Sequence, residues 1–86
     1  MSNLEEVLYN LVKPMVDNVD ALRVEEKTSS NPREVVIGIH ADDEDIARLI
    51  GRKGSMASAL RQVMSVASHR EDKKVTIKFE QEKDAD

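Results

Sequence analysis

The tetrapeptide Gly51-Arg52-Lys53-Gly54 does more than any other stretch to limit what this chain can fold into. It separates two helical patterns that would otherwise run together. The first is carried by Ile46, Leu49 and Ile50, and the second by Met56, Leu60, Val63, Met64 and Ala67 over residues 55–70. Gly51 is placed to stop the first helix. Two glycines with basic residues between them also make a bend whose main chain can come close to a ligand, because glycine tolerates positive φ and has no Cβ. A helix that starts straight after such a bend points free N–H groups at any bound phosphate. At average glycine usage a bare GxxG arises by chance about 0.4 times in a chain this long, so the flanking pattern has to carry the argument.

Upstream, Leu4, Val7, Leu8, Leu11, Val12 and Met15 fall on one face of a first helix, with Ser2 or Asn3 available as its cap and Pro14 ending or kinking it. Leu22, Val24 and Glu26 alternate with Arg23, Glu25 and Lys27, the pattern of an edge strand with one wet face. Thr28-Ser29-Ser30-Asn31-Pro32 reads as a loop. Val35-Val36-Ile37-Gly38-Ile39 is the most apolar run and reads as a central strand. Asp42 is the expected cap of the helix after it, with Asp43, Glu44 and Asp45 favouring its positive end. Four adjacent acids with no second ligand cluster read as a helix start rather than a metal site. Val75, Ile77 and Phe79 alternate with polar residues in a third strand over residues 74–80, and 81–86 form a polar tail expected to be disordered.

The order is α-β-β-α-α-β. Strands one and two, joined by a short loop, pair antiparallel, and strand three returns through the two-helix crossover to lie parallel to strand two. The expected architecture is an α+β, two-layer domain over residues 1–80, with a three-stranded mixed sheet and the helices on one face.

Eighty-six residues make one small domain, and the absence of cysteine removes disulfides, thiol catalysis and Cys-based zinc sites. His40 and His69 fall in no ligand spacing, no acid–base pair stands out, and no cofactor is implied, so the expectation is a protein that is not an enzyme. Met-Ser-Asn-Leu-Glu-Glu lacks the basic start of a signal peptide and no long apolar run follows, which predicts a cytoplasmic chain with no membrane insertion. The net charge of −4 is unevenly spread. Residues 46–74 carry seven basic groups against two acids, a net of +5, and the remainder nets −9. A chain so polarised can present one positive face and repel polyanions elsewhere.

Leu49-Ile50-Gly51-Arg52-Lys53-Gly54, set between two helices inside a β-α-α-β core, resembles the K-homology (KH) RNA-binding domain. The helix and strand that precede the core make it similar to the type II, bacterial arrangement. A chain consisting of one such domain resembles the small single-KH proteins of the KhpA family. The stretch from Ile46 through Ala57 is most like them. The resemblance implies non-catalytic binding of single-stranded RNA, as an RNA chaperone or post-transcriptional regulator. The bend would clamp the backbone of about four nucleotides and Ile50 would line a groove beside the bases. The site residues it implies are Gly51, Arg52, Lys53, Gly54, Ser55, Ile50 and Arg48. It further implies a homodimer, or a heterodimer with a larger KH-containing protein of the Jag (KhpB) type, and a link to bacterial cell division and cell-wall elongation. One departure stands at Ala57, where many KH domains carry a large β-branched residue.

Two readings from the residues themselves accompany this. One Tyr and one Phe cannot build an aromatic stacking platform, whereas a backbone clamp needs none. The apolar surface of the third helix exceeds one narrow stripe, so Leu60, Val63, Val66 and Ala67 are candidates for a partner interface. The alternative function is then a protein-interaction subunit in which the GxxG is vestigial. Ser55 is open to two roles, a capping hydroxyl or a phosphate contact.

Overall fold

In the computed structural model, which describes residues 3–27, 29–70 and 72–81, each helix forms where a four-residue apolar repeat meets a polar face. Helix α1 (Asn3–Val12) buries Leu4, Leu8 and Val12 in one line. Pro14, which has no N–H to donate, then forces the chain into a 3-10 turn at Lys13–Met15. Asn3 stands inside the helix rather than capping it, and Ser2 lies outside the described residues. A second 3-10 turn, Val19–Ala21, leads into strand β1 (Arg23–Lys27).

Strand β1 pairs antiparallel with β2 (Glu34–Ala41), and β2 pairs parallel with β3 (Lys74–Gln81), so the most apolar strand is central. Val24 lies opposite Ile39, which lies beside Phe79. Val35, Ile37, Ile39 and Ala41 all point to the buried face. Alternation in β1 breaks down at Glu26, expected on the inner row. It is exposed, and its N–H donates to the Glu5 carboxylate of α1 at 2.6 Å. Strand β3 runs one residue further than expected, through Gln81, and 82–86 lie outside the described residues.

The crossover consists of α2 (Asp43–Ile50) and α3 (Ser55–His69). Together with α1 they cover one face of the sheet, and Leu8, Ile37, Ile39, Ile46, Leu49 and Met64 form the centre of the core. The buried stripe of α3 is Ala57, Leu60, Met64 and Ser68. Met56 and Val63, which share the apolar pattern of Leu60 and Met64 in the sequence, are exposed. Their row lies about 100° around the helix from Ala57, so both sit on its flank.

The opposite face of the sheet is polar. There the Lys27 ammonium and the Glu80 carboxylate pair across the central strand. Gly38 makes this possible, because a Cβ at that position would stand 2.9 Å from Glu80 Oε2. The hydrogen bond from Lys27 holds the Glu80 carboxyl below its ordinary pKa.

Candidate nucleic-acid interface

Helix α2 ends when the Gly51 N–H donates to the Ala47 carbonyl at 2.9 Å and Gly51 turns to φ 78°, ψ 173°. That backbone region is essentially closed to residues with side chains. A Cβ on Gly51 would also lie 2.8 Å from both the Cβ and the amide nitrogen of Met56. Gly51 therefore makes the bend and lets α3 close against it. One 3-10 turn, Arg52–Gly54, follows, closed by the Gly54 N–H on the Gly51 carbonyl at 3.1 Å. Lys53 sits at φ 56°, a left-handed conformation that costs a non-glycine residue about 1 kcal/mol. Gly54 is also left-handed, at φ 76°, but no atom lies within 4 Å of where its Cβ would be. Its outer side faces open space.

Backbone bonds consume two of the four loop amides, those of Gly51 and Gly54. Among the described residues, the amides of Arg52 and Lys53 have no partner, and their exposed side chains join no ion pair. Gly54 occupies the cap position of α3, and no side chain caps that helix. Ser55 is thus the first helical residue with its hydroxyl exposed, and its role as a cap falls away. From Ile46 to Arg70 the chain contains no acid. Two unpartnered amides, the start of a 15-residue helix and two cations therefore converge on one exposed bend, an arrangement suited to an anion.

Arg48, expected in this site, is engaged elsewhere. Its guanidinium donates to Asp45 Oδ1 at 2.8 Å, to the Met15 carbonyl at 3.3 Å and to Asp17 Oδ2 at 3.3 Å. Two carboxylates already neutralise the charge that would have met a phosphate. The acidic run before α2 has been divided in a way the sequence reading missed. Asp42 has the cap position, yet its carboxylate accepts from Asn18 Nδ2 at 2.8 Å and caps no helical N–H. Asp45 is 2% exposed and accepts the N–H groups of Asp17 at 3.0 Å and Asn18 at 3.1 Å. Those two backbone bonds, with Arg48 reinforcing them, hold its carboxyl below the usual carboxylate range despite burial. A signal was present: Asp45 lies one residue before Ile46 and four before Leu49, on the apolar stripe, and a carboxylate there must find donors. The network ties the start of α2 to the segment after α1, and so sets the axis along which α2 delivers Gly51. Ile50 is half-buried and packs against the core at the mouth of the bend.

On the far flank of α3, Val63 is 46% and Val66 is 67% exposed. With Val7, Ala67, Asn3 and Arg70 they line a shallow groove of about 480 Å³ between α1 and α3. Leu60, expected on this surface, is 5% exposed and faces the core. No described helix is long and apolar enough to cross a membrane.

The family model described as KhpA/KhpB, KH domain, matches residues 5–79. The chain belongs to this KH-domain family. Among its relatives, the RNA-binding protein KhpA of Aquifex aeolicus is 31% identical over 79 residues, covering 92% of this chain and 98% of that protein. Its namesake in Clostridium acetobutylicum is 28% identical over 76 residues, covering 88% and 99%. That of Streptomyces coelicolor is 39% identical over 67 residues, covering 78% and 82%. No solved structure gives a significant match. The two-layer α-β-β-α-α-β order, with its parallel β2–β3 pair, is the one expected of a type II KH-like domain.

Proposed function

We propose that this protein binds single-stranded RNA without catalysis, gripping the sugar-phosphate backbone at Gly51-Arg52-Lys53-Gly54. The observation that carries the reading is the exposed bend in which the Arg52 and Lys53 amides have no partner among the described residues and Gly54 faces open space. Family membership with proteins named RNA-binding protein KhpA supports the choice of ligand. Composition supports a backbone clamp over base stacking, since Tyr9 and Phe79 are both half-buried against the core. Ser55 and Ile50 flank the bend and complete the site, and Arg48 serves it only by holding α2 in place. With two cations at the loop, the logarithm of affinity falls with that of salt at a slope of about −1.4.

By the same resemblance the protein acts in the bacterial cytoplasm as an RNA chaperone or post-transcriptional regulator linked to cell division and cell-wall elongation. The groove at Val63, Val66 and Ala67 favours a companion reading as an interaction subunit. A second copy, or a larger KH protein of the KhpB type, would cover it, and a dimer presenting two bends gains avidity.

The decisive test is Arg52→Asp with Lys53→Asp. Both side chains are exposed and join no ion pair among the described residues, so the fold persists while binding of single-stranded RNA is lost. Undiminished affinity in a folded double variant refutes the clamp.

A further inference from the structure

The far end of α3 carries a second concentration of positive charge that the loop reading leaves unused. Arg33, His69, Asp72, Lys73 and Lys74 line a concavity of about 230 Å³ where the β1–β2 loop meets the α3–β3 turn. Backbone bonds build this junction. The Lys74 N–H donates to the Arg33 carbonyl at 2.8 Å, and the Lys73 N–H donates to the Ser68 carbonyl at 3.2 Å. The Asp72 N–H takes the His69 carbonyl at 3.2 Å. Two of the last carbonyls of α3, those of Ser68 and His69, which would repel an anion, are thereby covered. Among the described residues one acid, Asp72, lines the concavity, and it is paired with Arg33 at 3.3 Å with both groups largely exposed, a weak bond that leaves guanidinium donors free. Among the described residues, Lys73 and Lys74 join no ion pair.

A polar track links this concavity to the bend. Ser58, Arg61, Ser65 and His69 recur three to four residues apart and are all exposed, so they form one row along α3. That row starts one turn past Gly54 and ends at the concavity, on the side of the helix away from Val63, and it adjoins Val66 only at His69. The helix contains no acid, and Arg61 joins no ion pair among the described residues. Fifteen residues at 1.5 Å each make the track about 22 Å long.

We propose that the polar flank of α3 and the basic concavity at its end form a second phosphate-binding stretch for the RNA strand held at the bend. This rests on the RNA-binding reading above. The bend holds about four nucleotides, and a longer strand continues along Ser58, Arg61 and Ser65 until its backbone reaches Lys73, Lys74 and Arg33. The hydroxyls and cations read no base, so the stretch adds affinity and salt dependence and leaves sequence preference unchanged.

The test compares uridine oligonucleotides of about four and about twelve nucleotides on the full chain and on Lys73→Gln with Lys74→Gln. Both lysines are exposed and donate to the fold through their backbones only, so the variant keeps its thermal midpoint. Each neutralised charge carries a factor of about five at 0.1 M salt, so the variant binds the longer RNA roughly 25-fold more weakly, with the salt slope reduced by about 1.4. Its affinity for the short RNA is unchanged. Lys78→Gln, on the polar face of the sheet, is the spatial control and leaves both affinities intact. The proposal is overturned if the lysine pair does not affect the longer RNA, or if Lys78→Gln weakens it equally. It is also overturned if the pair matters only for vesicles of anionic phospholipid. Loss of short-RNA binding in the Arg52→Asp, Lys53→Asp variant, seen alongside any of these results, leaves the clamp standing and removes only the extension.

Discussion

The two glycines of the bend are not equivalent, and replacing each by alanine separates stability from binding. Gly51 combines φ 78° with ψ 173°, where an L-residue is strained by about 1–3 kcal/mol. Its new methyl would also stand 2.8 Å from Met56 Cβ and N, and pushing α3 aside adds a further 1–3 kcal/mol or so. The sum is centred near 4 kcal/mol, against a total stability of about 4–13 kcal/mol for a chain of this length. Gly54, at φ 76° and ψ 16°, sits in a region alanine can adopt for about 1 kcal/mol, and its methyl would meet nothing within 4 Å. Urea titration with thermal melts measures both. Gly54→Ala should lower the midpoint by about 4–8 °C, while Gly51→Ala should lower it several times further or fail to fold. In binding assays the order reverses in interest. Gly54→Ala remains folded, but its methyl occupies the space through which a backbone would approach, so RNA affinity falls well beyond what 1 kcal/mol of stability explains. Equal stability losses at the two positions would refute the assignment of different roles. Full RNA binding by Gly54→Ala would refute the close approach.

Helix α3 offers a second contrast. Val66→Asp, at a site 67% exposed, leaves the monomer folded and should abolish self-association by light scattering, whereas Leu60→Asp puts a charge in the core and unfolds the chain. Dimers persisting in Val66→Asp would remove the interaction surface. Acid sensitivity should trace to Asp45. Its folded pKa is depressed, so its contribution is complete above the unfolded value of about 4 and drains away as pH falls through the lower folded value. Asp45→Asn should therefore be less stable at pH 7 and show a flatter acid limb below about pH 4, and an unchanged acid limb would assign the acid response elsewhere.

Legibility in the sequence divides cleanly by residue. The alternation of β1 and the apolar run of β2 placed an edge and a central strand correctly, because strand burial follows a period of two that a short stretch displays. The bend was legible because glycine at Gly51 and Gly54 has a local cause, a backbone angle that other residues resist. The apolar flank of α3 was half legible. Val63 and Val66 were named and are exposed, but the phase of the helix assigned Leu60 to the core and Met56 to the surface. Periodicity tolerates a shift of one residue where Ala57 can replace Met56 on the inner row.

Arg48 and Asp45 show where local reading stops. Arg48 looked like a loop cation because it stands three residues before Gly51, and Asp45 looked like one acid in a helix start. Their partners, Asp17 at 31 and 28 residues' separation, come to them only after α1, its 3-10 turn and α2 have packed. The order of elements, the position of the bend and the identity of its cations were set by the sequence alone, since each depends on residues within one helical turn of itself. Which charges stay free for a ligand and which are consumed in holding α2 was decided by the tertiary structure. Charge pairing follows distance in space, and a chain's linear order does not contain that distance until it has folded.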